Sequence, residues 1–506
     1  MSSRLIQLST LAFLLAAHLY SQDREPALDD ASRHSVEFWN TLGTIRQGQS
    51  KLAEAEQDYR RALSLNQSLS TPNKMQEVSI LNNLATIQQA RRDFNGAEAL
   101  LKSGYAILRE NNLTNDPGAG PLLANLALNL QQQGRIAEAE RAYGEAELSF
   151  QHSFTDDTPE FAMLLSNSGL LSLENGHCAD AILRERRALE IQSKHSLVTD
   201  RQRAYVFNGL GLALQQTGDF TEAKSSFQRA IELDRGDIPA VIKHRVEALT
   251  NLGALEQKLG HYSQAREIQV EAEKIALQNL PENDPVLATI WNNLGSLSTQ
   301  QKDFRYAGLQ YQKSAALWLR CLGSNSPQYA TTLSNIGTLE SLRGHHREAQ
   351  EMATRALAID QAYFGPSHPR IAADLANLGD EYFYRNKLDR AIDLLLQAES
   401  IEEKSFGANS VPLARIFDNL AAAYQKSKRF ADSKAAFEKA IRIYELQQAA
   451  FAPQFASCLH QYAALLRTMQ DFGKAEQTEV RATRLDVQSV LSGQAVSPEG
   501  GLSFVQ

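Results

Sequence analysis

Apolar and polar positions alternate along this chain with two nested periods. In Phe207–Leu233 (FNGLGLALQQTGDFTEAKSSFQRAIEL), Phe207, Leu210, Gly211 and Leu214 stand at i, i+3, i+4 and i+7, one stripe on a helix. Ala223, Phe227, Ala230 and Ile231 repeat that spacing in the second half. Between the halves, Gly218-Asp219-Phe220-Thr221 supplies a stop signal and an N-cap, with Glu222 in the next first turn. The pattern predicts a helical hairpin that cannot bury both stripes by itself, so the rest of the chain must supply its neighbours.

The longer period is 42 residues. Stepping from Ala223 in that unit reaches Ala55, Ala97, Ala139, Ala181, Ala265, Ala307, Ala349, Ala391, Ser433 and Ala475, eleven units in register without an insertion. A Leu-Gly or Leu-Ala pair recurs on most first helices (Leu42-Gly43, Leu84-Ala85, Leu126-Ala127, Leu252-Gly253, Leu294-Gly295, Leu378-Gly379), with Ile336-Gly337 and Tyr462-Ala463 as variants. Glycine inside a helix costs about 1 kcal/mol relative to alanine, so its recurrence asks for close approach of two helices. Pro117, Pro159, Pro285, Pro327, Pro369 and Pro453 differ by multiples of 42, each ahead of a first helix where a missing N–H is harmless. The aromatic on the second helix is patchier: Tyr59, Tyr143, Phe227 and Tyr311 hold the place, while Glu185 replaces it in repeat four. Short turns between helices predict local contacts.

These residues resemble the tetratricopeptide repeat, whose pattern has a large residue, Leu-Gly or Leu-Ala, a turn Gly, then Ala, an aromatic and Ala. Phe207, Leu210-Gly211, Gly218, Ala223, Phe227 and Ala230 occupy those places. The period is longer than the common one and is similar to the 42-residue kinesin-light-chain type, whose LNNLA signature stands at Leu81–Ala85 and, as WNNLG, at Trp291–Gly295. The resemblance implies an all-α, right-handed superhelical solenoid of about eleven helix-turn-helix repeats over residues 34–484, with the first helices lining a concave groove.

The flanks read differently. In residues 1–21, Arg4 precedes an apolar run from Leu5 to Tyr20, too short and too polar for a comfortable membrane span and suited to an export signal. The expectation is a periplasmic or secreted protein; the alternative is an anchor formed by an uncleaved N-terminal segment. Residues 22–33 are polar and aperiodic, the pattern of a linker. Arg481–Leu491 is read as one more helical stretch over the end of the stack, and 485–506 as a C-terminal cap and flexible tail. A cap that short leaves the last repeat open to fraying or to pairing with another molecule.

Charge and composition narrow the chemistry. A net charge of -8 argues against nucleic acid or an anionic membrane as the main partner. The three cysteines (Cys178 in a turn region, Cys321 after a second helix, Cys458 on a first helix) imply no disulfide framework. No phosphate loop, HExxH or Gly-x-Ser-x-Gly is present, so no catalytic residue and no cofactor is assigned. His177-Cys178, His261 and His345-His346 lie at turns too far apart along a stack to share an ion, and no metal site is assigned.

One polar column stands out. Asn83, Asn125, Asn167, Asn251, Asn293, Asn335, Asn377 and Asn419 precede the Leu of their first helices in steps of 42, broken by Thr41, Gly209 and Gln461. At about 100° per residue this place lies roughly 150° from the apolar stripe, and the resemblance puts it on the groove. Asparagine is mediocre inside a helix, and its carboxamide offers two donors and an acceptor to a peptide backbone. Gln47, Gln89, Gln131, Gln215, Gln257 and Gln425 form a second column six residues on. Two readings stay open: contact with a ligand, or ties between neighbouring first helices. Asp380, Phe383, Tyr384 and Arg415 fall in groove-facing phases of repeats nine and ten, with Tyr382 in the core. The functional expectation is a non-enzymatic scaffold that binds a partner protein or extended peptide in the groove. The alternative is an assembly factor that self-associates through its ends into a homo-oligomer.

Overall fold

The computed structural model describes residues 28–49, 51–153, 156–196, 198–446 and 452–491. Among these there are 22 helices and no strand. The helices form eleven consecutive pairs, from Leu28–Gly48 with Leu52–Ser68 to Ala452–Thr468 with Phe472–Leu491. The protein is therefore an all-α helical-repeat solenoid. It divides into two compact bodies, Met1–Asp156 with repeats one to three and Asp157–Gln506 with repeats four to eleven. Each is described by itself.

The turn inside each repeat has one geometry. Arg92, Gly134, Gly176, Gly218, Gly260, Lys302, Gly344, Asn386, Lys428 and Gln470 all have positive φ, between 61° and 87°, and follow one another in steps of 42. Five of the ten are glycine, the residue that adopts this conformation without a Cβ penalty. Proline acts at the opposite end: Pro159, Pro285, Pro327 and Pro369 open their first helices. Pro239 and Pro412 do the same out of phase.

The recurrent small residue on the first helix exists for the ring on the second. A Cβ at Gly211 would lie 2.6 Å from Phe227, one at Gly43 2.6 Å from Tyr59, and one at Gly295 2.7 Å from Tyr311. Tyr59, Phe227 and Tyr311 are each fully buried or nearly so. Where the ring is absent the site changes character. Glu185 is buried in repeat four, and Gln269 in repeat six donates to the carbonyl of Thr250 at 2.9 Å.

Three expectations need correction. Residues 28–33, read as linker, belong to the first helix, which starts at Leu28; Asp29 and Asp30 suit a helical first turn even without an apolar period. Arg481–Leu491 is no extra helix but the end of Phe472–Leu491, because Ala482, Leu485 and Ser489 continue its buried stripe. Cys178 is the first residue of a helix and is buried. The export segment 1–21, residues 22–27 and the tail 492–506 lie outside the described residues.

The expectation of purely local contacts also fails in the second body. One apolar cluster takes in Leu210, Phe220, Phe227 and Leu252 of repeats five and six together with Leu375, Leu395, Phe417 and Phe437 of repeats nine and ten. It contains no residue of repeat seven, between Pro285 and Leu322. The turn of repeat four likewise meets repeat nine: a Cβ at Gly176 would lie 3.1 Å from Pro369 Cγ and 3.3 Å from Phe406 Cε1. This body bends enough for early repeats to touch late ones, which a count of residues per turn does not reveal.

Candidate functional site

The asparagine column binds first helix to first helix. Nδ2 of Asn83 donates to Oδ1 of Asn40 at 3.1 Å, Asn125 to Asn82 at 2.8 Å, Asn251 to Asn208 at 3.0 Å and Asn335 to Asn292 at 2.9 Å. Asn377 donates to the Ser334 hydroxyl at 3.0 Å. In each case the acceptor lies 43 residues back, one place before the column in the preceding repeat. Asn419 finds alanine at that place and donates instead to Asp380 Oδ1 at 2.7 Å. Asn167 accepts from the Tyr205 hydroxyl of the next repeat at 2.9 Å. Asn293 has no such bond; the place behind it is Thr250, whose hydroxyl donates to Val246 O. Asn335 and Asn419 are buried, whereas the other six keep partial exposure.

The glutamine column ties in the other direction. Gln47 Nε2 donates to Thr86 Oγ1 and Gln257 Nε2 to Ser296 Oγ, both at 2.9 Å and both in the following repeat. Gln47 also accepts from the Tyr59 hydroxyl at 2.8 Å. Within each body, the two columns add directional bonds to the apolar contact at most of the repeat boundaries. The gap in the asparagine column has a local cause. At Gly209 a Cβ would stand 2.2 Å from Oε1 of Glu185, whose other oxygen accepts from Ser166 at 2.7 Å. Burial pushes this carboxyl well above the usual carboxylate range.

Asp380 acts electrostatically on both Tyr384 of its own helix and Arg415 of the next repeat. Asp380 is buried and accepts from Asn419; burial pushes its carboxyl up to about 8, against the pull of the Arg415 guanidinium. Tyr384 lies flat on His346, with ring centroids 4.9 Å apart, and burial together with Asp380 and Glu381 raises its phenol. His346 Nδ1 is also 3.3 Å from Glu381. Phe383 carries the ammonium of Lys426 over its ring at 4.4 Å. Tyr382 packs on the apolar cluster, as expected of a core residue.

Sequence reasoning missed Lys258 of repeat six. It lies over the Phe220 ring at 5.5 Å, and its ammonium is pushed down to about 8 by burial and then by the like charge of Arg415. Neither cation has a carboxylate at ion-pair distance among the described residues. Lys258 shares a phase of the 42-residue period with Tyr384, which is the signal that would have flagged it. No group of three or more His, Cys, Asp or Glu among the described residues is arranged to hold a metal ion, and no described helix is long and apolar enough to cross a membrane.

The far end of the second body is closed by charge. Glu479 takes the place that Phe437 and Leu395 hold in the two preceding repeats. His460 Nδ1 meets Glu479 at 2.8 Å, its Nε2 meets Asp486 at 2.9 Å, and Arg467 pairs with Glu479 at 3.1 Å. Beside this polar cap, Phe472 is 66% exposed, whereas Phe220 at the same place in repeat five is buried.

Comparison with known proteins agrees with this architecture. Tetratricopeptide-repeat family models match residues 35–110 and 286–362, 204–237, and 413–446. No curated protein matches the chain. Among solved structures, BtubC (BKLC) from P. vanneervenii is 21% identical, covering 58% of this chain and 97% of its own, with a TM-score of 0.34. A Podosopora anserina putative kinesin light chain with nearly identical TPR-like repeats is 20% identical, covering 40% and 96%, with a TM-score of 0.33. Proteins of this repeat architecture generally mediate protein–protein interaction and are generally non-enzymatic scaffolds. With the 42-residue period, the helix pairs and the family matches in agreement, the chain is a tetratricopeptide-repeat protein.

Proposed function

We propose that the protein is a non-enzymatic scaffold that holds a partner protein or extended peptide against its first helices, around Asp380, Tyr384 and Arg415. The observation that carries this reading is the grouping of Asp380 with Tyr384 and Arg415, and of Arg415 with Lys258 of repeat six, neither cation lying at ion-pair distance from a carboxylate among the described residues. The six partly exposed ladder amides (Asn83, Asn125, Asn167, Asn251, Asn293 and Asn377) contribute backbone contacts with the carboxamide atoms that their ties leave over. Asn335 and Asn419 are buried and support the surface from beneath.

The test is a pull-down from envelope extract with wild type, Arg415→Ala, Tyr384→Ala and Asn293→Ala, each checked for helicity by circular dichroism. A specific partner retained by wild type and lost with Arg415→Ala supports the reading; an identical partner list for every variant overturns it. The envelope is the chosen extract because the export signal read in residues 1–21 is part of the same proposal, checked by cell fractionation.

Exposure of Phe472 favours a second reading, self-association through the last repeat. It predicts a mass that rises with concentration in light scattering and returns to monomer with Phe472→Glu. The His460 cap works against it, since pairing there must desolvate two carboxylates.

A further inference from the structure

Within the second body, the edge formed by the turns of repeats four to six lies on the edge formed by the junctions of repeats nine and ten. At one end of this seam Gly176 rests on Pro369 and Phe406. Cys178 and Glu402 are close enough for the carboxylate to raise the thiol, after burial, and Tyr363 feels Glu174 in the same way. Further along, Phe220, the first residue of the second helix of repeat five, is buried in the apolar cluster shared with Leu413 and Phe417 of repeat ten. At the next step Lys258 faces Arg415.

The balance of forces at the seam is mixed. Rings and a proline hold it, but the two cations that meet there, Lys258 and Arg415, repel, and the acids beside the Cys178 thiol and the Tyr363 phenol keep those groups neutral rather than pairing with them. No ion pair among the described residues crosses it. The edges are turns and helix ends, so their contact is smaller than the helix-on-helix packing within a repeat. Such a contact is among the first to open in a repeat protein.

We propose that this seam is a latch: closed, it keeps macromolecules from the first-helix face of the second body, and a partner docks there only when the turns of repeats four to six lift from repeats nine and ten. This rests on the groove-binding function proposed above and adds its control. Docking then depends on an opening equilibrium, and the apparent affinity falls by the fraction of molecules that are open.

The test needs no identified partner. Thr289 is half-buried on the first helix of repeat seven, opposite the seam and in the same phase as Arg415, and Gln312 is exposed on that repeat's second helix. In a Cys321→Ser background, Thr289→Cys and Gln312→Cys are each labelled with N-ethylmaleimide and with a maleimide carried on folded ubiquitin. The latch predicts that ubiquitin-maleimide reacts at least tenfold more slowly at 289 than at 312, while N-ethylmaleimide shows no such gap. Phe220→Glu and Gly176→Lys, each verified as folded, should accelerate the large probe at 289 several-fold and leave the small one unchanged. A disulfide between Cys178 and Glu402→Cys should abolish the large-probe reaction until reductant is added. Equal large-probe rates at 289 and 312 in the closed protein, or no response to the seam variants and the disulfide, overturns the latch. Because partner capture is not the readout, that result leaves groove binding to be judged by its own pull-down.

Discussion

Asn335 and Asn125 have the same chemistry and different surroundings. The amide of Asn335 is buried and bonded to Asn292, so Asn335→Ala strands a buried carboxamide oxygen and should cost about 1–3 kcal/mol. Asn125 is partly exposed, water can replace its bond to Asn82, and Asn125→Ala should cost about 0.5–1.5 kcal/mol. Urea unfolding of the two variants measures the difference; equal costs would mean that the ladder contributes through something other than its hydrogen bonds. The ladder was legible in the sequence as a column, but its direction was not. The donor column and the acceptor places at Asn40, Asn82, Asn208 and Asn292 are both written in the chain, yet only helix crossing geometry shows that a donor reaches 43 residues back. The break at Gly209 was visible too, and its cause was not, because Glu185 lies a repeat away. Gly209→Asn restores the column on paper and should destabilise the protein by about 1–3 kcal/mol through overpacking against Glu185.

At the scale of the element, the ten turns with positive φ form a graded series. Lys302, Lys428 and Arg92 adopt a conformation that costs an L-residue about 1–2 kcal/mol, while glycine loses about 0.5–1 kcal/mol of unfolded-state freedom there. Lys302→Gly should therefore stabilise by up to about 1 kcal/mol, and Gly260→Ala, at the equivalent place, should destabilise. Thermal unfolding of the two variants decides; a loss of stability with Lys302→Gly would mean that the lysine side chain contributes more than its backbone strain removes. Helix pairs, turns and the Gly–ring contact were all readable from the sequence, since each depends on residues within one repeat. Helix ends were less so: Leu28–Arg33 and Arg481–Leu491 extend elements whose apolar period alone placed their ends elsewhere.

At the scale of the whole second body, the contact of early repeats with late ones was invisible in the sequence, because it depends on a small rotation summed over several repeats. The same body also buries acids. Burial pushes Asp234 up to about 6, Asp418 to about 7, and Asp374 and Asp380 to about 8; Asp360, beside Asp374, moves the same way. An acid whose folded value exceeds its unfolded value near 4 binds a proton in the folded chain that the unfolded chain has already lost. Each such group makes stability fall as pH rises from about 4 toward its folded value, with a slope of up to about 1.4 kcal/mol per pH unit. His460, raised by Asp486 and Glu479 against the opposing effect of burial, acts in the same sense: its contribution is complete below about 6.5 and disappears as pH rises through the folded value. His244 and His368, pushed down to about 4 by burial, oppose this only between about 4 and 6.5, where the unfolded chain takes up protons that they refuse. The sum predicts greater stability at pH 5 than at pH 8, with a steady loss between, the reverse of a protein held by paired carboxylates. Chemical denaturation at pH 5, 6.5 and 8 tests the sign, and Asp374→Asn and Asp418→Asn should each flatten the upper part of the profile. A midpoint that climbs from pH 5 to pH 8 would show that these acids are ionised and compensated in the folded chain, with the Arg370 and Arg415 guanidinium groups as the compensating charges.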